Sequence, residues 1–266
     1  MWWLLLLSSL TVIGLCWMVQ WLARRQAHQR SMDVNKACTP TVLADSIYVV
    51  LVGIESRTVG TVLRHLFQHA HCPRRVFVEV LVEPDQPVMS RYIAEGLGAL
   101  AITHVVCTPW ATHLQQPFVG YHGEKFVWLL DGTARVVPQW DVLLLEEWGR
   151  LPSPQGWLST LPAIADSVWT LKGPVPRLRM DRTASTAPYW VWQPHALVTE
   201  TLDPQRDVVL SEGWSYHCSF ATAAVALPLL RTTLAHQPLA QWDFMMSEAL
   251  RAPHVVYTPT HHLALR

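Results

Sequence analysis

Blocks of unbroken apolar residues alternate with blocks of helical spacing through the middle of this chain. Residues 46–54 (SIYVVLVGI) form a continuous run rich in β-branched side chains. Such a run suits a strand covered on both faces. Val59, Val62, Leu63, Leu66, Phe67 and Ala70 follow at spacings of three and four, which predicts an amphipathic helix. Pro73 stops it, and residues 75–83 (RVFVEVLVE) read as a second strand. Residues 88–100 (VMSRYIAEGLGAL) predict a second helix, interrupted by two glycines. Residues 102–108 (ITHVVCT) and 125–130 (KFVWLL) give a third and a fourth strand, the latter ending at Asp131. Strands alternating with helices imply an α/β domain, with a mixed, mostly parallel sheet flanked by helices. Ligands of such sheets sit beyond the carboxyl ends of the strands, which is where Asp131 falls.

The first residues carry a different pattern. Residues 2–22 hold no charge and are long enough to span a hydrocarbon core. Trp2, Trp3, Trp17 and Trp21 lie toward the two ends, where indoles favour the interface. A cleaved signal peptide would need a basic start and a shorter apolar core. The segment therefore predicts one transmembrane anchor (1–23), a polar tether (24–45) and a domain (46–266). Arg24, Arg25, Arg30 and Lys36 follow the apolar run, and the positive-inside rule then holds the body in the cytoplasm. A lumenal body on a type II anchor is the alternative. Residues 152–204, dense in Pro, Trp, Ser and Thr, read as irregular structure within the domain.

Composition narrows the chemistry. With 20 basic and 20 acidic residues the formal net charge is zero, so no nucleic-acid surface is expected. Five cysteines, at 16, 38, 72, 107 and 218, are spaced for neither a zinc site nor a secreted disulfide framework. There is no GxGxxG after the first strand, no phosphate-binding GxxxxGK[ST] loop and no GxSxG elbow. His65 and His69, four apart and near His71, have metal-pair spacing, but no HExxH pattern surrounds them and a solvated helix face accounts for them better.

The informative stretch is 123–147, GEKFVWLLDGTARVVPQWDVLLLEE. A buried strand delivers the Asp131 carboxylate to its tip, and Gly132 permits a sharp turn behind it. Pro138, Gln139, Trp140 and Asp141 follow after a short interval. A carboxylate so placed can hold a divalent cation and leave room for phosphate oxygens. A strand-end Asp that merely caps a turn is the simpler alternative.

Gly123-Glu124, Phe126, Asp131-Gly132-Thr133 and Trp140-Asp141 stand in the order of the metal-motif region of GT-A glycosyltransferases. More narrowly, the segment resembles the cytoplasmic hydroxyproline N-acetylglucosaminyltransferase family and its viral and bacterial relatives. Ile47-Tyr48-Val49-Val50, Arg57, Phe67 and Pro73-Arg74-Arg75-Val76-Phe77-Val78 resemble that family's opening strand–helix–strand. Trp157-Leu158-Ser159-Thr160-Leu161-Pro162, Trp242 to Leu250, and Val256-Tyr257-Thr258-Pro259 with His261-His262 resemble later pieces in sequence. The resemblance covers about residues 46–262 in collinear patches. It departs at the family's Asp-x-His, which is Asp131-x-Thr133 here, and at Gly-Glu-Glu, which is Gln241-Trp242-Asp243. A Thr hydroxyl is a far poorer metal ligand than imidazole or carboxylate.

The resemblance implies a membrane-anchored transferase that moves a sugar, N-acetylglucosamine or another hexose, from a nucleotide-sugar donor to a hydroxyl of a protein or glycan. Retention and inversion are both open. Asp131, with Thr133 and His262, would hold Mn or Mg. Glu55, Arg57, Asp131, Trp140 and Asp141 would lie at the nucleotide sugar, and Asp243 would be the base toward the acceptor. The eroded motifs suit a second outcome, a catalytically inactive glycosyltransferase-like scaffold tethered to a membrane.

Overall fold

The computed structural model describes residues 44–53, 58–82, 104–162, 209–211, 213–250, 255–260 and 263–265. The expected anchor, nearly all of the tether, the helix expected at 88–100, and Glu55, Arg57 and His262 lie outside the described residues. Among the described residues no helix is long and apolar enough to cross a membrane.

The first half of the fold opens with the expected strand–helix–strand, and the third and fourth expected strands follow. Strand β1 (Ile47–Val52) leads to helix α1 (Val59–His69), and a 3-10 turn (Pro73–Arg75) leads into β2 (Val76–Val82). Strand β3 (Val105–Pro109) runs into the short helix α2 (Trp110–Gln115), followed by β4 (Phe126–Asp131), β5 (Arg135–Val136) and α3 (Trp140–Gly149). The second half contains β6 (Trp157–Ser159), β7 (Val209–Leu210), β8 (Cys218–Thr222), α4 (Ala223–Leu234), α5 (Trp242–Ala249), β9 (Val256–Thr258) and β10 (Ala264–Leu265).

Eight strands form one sheet in the order β3-β2-β1-β4-β8-β6-β9-β7, and β5 pairs with β10 in a separate ribbon. The neighbours from β3 to β4 are all parallel, so their carboxyl ends share one edge. Strand β8 runs antiparallel between β4 and β6. The unbroken apolar runs arise because both faces are covered. Ile47, Val49 and Leu51 face Val59, Leu63 and Leu66 of α1 together with Trp140 and Leu144 of α3. Tyr48, Val50 and Val52 face the opposite layer, with Ala226 and Leu230 of α4 and Trp242 and Met246 of α5.

Two expectations change. Trp157–Ser159, inside the stretch expected to be irregular, is a buried strand between β8 and β9. Three residues are too few to show a period of two, and so the sequence carries no strand signal there. Cys72 is disulfide-bonded, while Cys107 and Cys218 are free thiols. The odd cysteine count and wide spacing hid that pairing.

Candidate functional site at the carboxyl edge of the sheet

Asp131 is the last residue of β4 and lies beside Val52, the last residue of β1. The Gly132 N–H donates to the Val52 carbonyl at 2.7 Å, which locks the two strand tips together. Its turn is built locally. The Thr133 backbone N–H and hydroxyl both donate to Asp131 Oδ1, at 2.8 and 2.7 Å, an Asx-type turn. The other oxygen, Oδ2, lies 2.6 Å from Nδ1 of His217. That contact is delivered by the sheet, since the Asp131 N–H also donates to the His217 carbonyl at 2.9 Å, just ahead of the β4–β8 pairing.

Burial pushes the Asp131 carboxyl up, but the hydrogen bonds from His217 and Thr133 and the charge of His217 outweigh it, holding the group at about 2. A depressed carboxylate pKa means that the ionised form favours the fold above the ordinary value of 3.8, and that this contribution is lost as pH falls toward 2. Thermal melts between pH 5 and pH 2 should therefore fall more steeply for the native chain than for Asp131→Asn. Equal slopes would mean that Asp131 is not held in this network.

The segment 214–217, which delivers His217, is pinned at every residue. The Trp214 N–H donates to Ser247 Oγ at 3.0 Å, and the Ser215 N–H donates to Ser159 Oγ of β6 at 2.9 Å. The Tyr216 N–H donates to Asp243 Oδ1 at 2.9 Å, and the Ser215 hydroxyl donates to Asp243 Oδ2 at 3.1 Å. The His217 N–H donates to Ser215 Oγ at 3.3 Å. Asp243, in the first turn of α5, is thus joined to Asp131 through three consecutive residues. Burial raises the Asp243 carboxyl above its ordinary range, against the opposing pull of Tyr216, His217 and Ser215. Beside this network the Tyr216 ring stacks on His217 at 4.1 Å and meets Trp242 edge-on at 6.1 Å. Trp110, directly after β3, tilts against Trp242 at 5.4 Å.

Trp140 and Asp141, expected at the nucleotide, have an interior role instead. Trp140 is fully buried, donates Nε1–H to the Leu66 carbonyl at 2.9 Å and packs on Trp128 at 4.7 Å. Asp141 is fully buried and accepts from Arg75 and from the N–H groups of His71 and Cys72. With their polar atoms engaged inside the protein, neither side chain is free to meet a ligand. Thr133 stands beside Asp131 but spends its hydroxyl proton on that carboxylate. Thr260, two residues before His262, is held by Glu147, which accepts its N–H and hydroxyl at 2.6 Å each.

Among the described residues the cation expected at Asp131 finds few donors. Both oxygens of Asp131 are taken by hydrogen bonds, and among the described residues no group of three His, Cys, Asp or Glu is placed to hold a metal. The residue that sequence reasoning missed is His217. Its only local sign is a position immediately before the apolar strand Cys218–Thr222.

No protein-family model matches the chain, and no curated protein matches it. Among solved structures it is similar to the mannosyltransferase PcManGT from Pyrobaculum calidifontis in complex with GDP-Man and Mn2+. The identity is 12%, the TM-score 0.49, and the match covers 84% of this chain. The chain spans about half of that protein's length, 56%.

Proposed function

We propose that this chain is a nucleotide-sugar-dependent glycosyltransferase that moves a hexose or N-acetylhexosamine to a hydroxyl of a protein or glycan. The observation that carries the reading is Asp131, a carboxylate at the tip of a covered parallel strand and linked through Ser215, Tyr216 and His217 to a second carboxylate, Asp243. A parallel sheet offers ligands the edge beyond its carboxyl ends, and that edge here carries the charged network and the Tyr216 and Trp110 rings. The proposal keeps the body tethered to a bilayer through residues 2–22. The inactive-scaffold reading has one observation in its favour, the internal satisfaction of both Asp131 oxygens.

Calorimetry on the full-length chain in detergent, with UDP-N-acetylglucosamine and UDP-glucose, separates the two. The transferase reading expects saturable binding with a Kd between about 1 μM and 1 mM, the usual range for enzyme substrates, and slow donor hydrolysis. Neither heat nor hydrolysis with both donors, in chelator or in Mn, would leave the scaffold.

A further inference from the structure

Resting on the transferase reading, we propose that His217 is the general base of the reaction, with Asp131 and Asp243 as positioning residues. A base must carry an open lone pair and be oriented by a third group. His217 Nδ1 lies 2.6 Å from Asp131 Oδ2, so the ring donates its Nδ1 proton to the carboxylate and leaves Nε2 as the acceptor. Nε2 makes no hydrogen bond to a described residue, and the side chain keeps 22% of its surface in solvent at the sheet edge. The backbone on both sides of the ring is fixed, by the β4–β8 pairing and by Ser215. The Tyr216 ring, stacked at 4.1 Å, limits rotation of the imidazole.

The carboxylates are less suited to the task. Asp131 has accepted three hydrogen bonds, and Asp243 has both oxygens bonded to the segment that bears His217. Their geometry serves to hold the imidazole rather than to reach an acceptor. In the step itself the acceptor oxygen bonds to the anomeric carbon while its proton passes to His217 Nε2. The bond from that carbon to the diphosphate oxygen breaks, and its electron pair leaves with the nucleoside diphosphate. With water as acceptor the same step is donor hydrolysis, so the assignment can be tested without knowing the acceptor.

The experiment measures hydrolysis of UDP-N-acetylglucosamine and UDP-glucose by the full-length chain, His217→Gln and His217→Ala, with Mn present. The expected result is a kcat lowered by about 10²–10⁴-fold in both variants, with KM changed less than about threefold. Added imidazole should restore His217→Ala at least tenfold, which a misfolded variant would not allow. Unchanged kcat in both variants, or failure of imidazole to restore any turnover, would each overturn the assignment while leaving the transferase reading in place. No turnover by the native chain would instead defeat the transferase reading, and this assignment with it.

Discussion

Asp141→Ala should lower the stability of the folded chain by about 3–5 kcal/mol, the usual effect of removing one partner of a buried ion pair. Asp141 is fully buried and Arg75 is 3% exposed. Oδ2 accepts from Arg75 Nε at 2.9 Å, from its terminal nitrogen at 2.7 Å, and from the Cys72 N–H at 2.9 Å. Oδ1 accepts from the His71 N–H at 2.6 Å. One carboxylate thus joins the first turn of α3 to the turn after α1 and to the start of β2. Removing it strands a guanidinium and two amides away from water, and the charge dominates the loss. A double variant, Arg75→Met with Asp141→Leu, should recover most of the difference, because the uncompensated charge is then gone. Urea unfolding followed by tryptophan fluorescence would read both effects. A loss under about 1 kcal/mol in the single variant would place Asp141 outside the core. The same experiment separates a structural Asp141 from a ligand-binding one, since only the structural role moves the unfolding midpoint without donor present.

This pair shows what the sequence could and could not reveal. The strands β1, β2 and β4 were legible because burial on both faces forces unbroken apolar runs, and the parallel pairing of β1 with β2 agrees with the helical block of α1 between them. Asp131 was legible because it ends such a run. The neighbouring Trp140-Asp141 looked equally chemical, yet its burial depends on α1 and β2 packing over it, which no local pattern encodes. Strands β6, β7 and β9 span two or three residues each and leave no period to read. His217 lies 86 residues from the carboxylate it touches. The antiparallel β8 that delivers it stands too far along the chain from β4 for any spacing rule to link them. Asp243 was suggested by resemblance as a base, while its geometry binds it to the Ser215 hydroxyl and the Tyr216 N–H.

Asp131→Asn should be the most damaging isosteric change to turnover. The carboxylate accepts from His217 Nδ1 and thereby fixes which ring nitrogen is free. An asparagine can turn its amide N–H toward Nδ1 instead. The ring then holds its proton on Nε2, where the acceptor's proton must go. A carboxylate-to-amide change behind a catalytic imidazole lowers kcat by about 10⁴-fold in the serine proteases through the same loss of tautomer control, and a loss of about 10³–10⁴-fold is expected here. The fold should survive, because Thr133 can still donate its N–H and hydroxyl to the amide oxygen as it does to Oδ1. KM for the donor should change less than about threefold if Asp131 only orients His217, and should rise by tenfold or more if it holds the diphosphate through a cation. Steady-state donor hydrolysis, measured alongside a melting curve, reads both parameters. A raised KM with an intact kcat would return Asp131 to the cation-binding role implied by the resemblance and remove it from behind the imidazole.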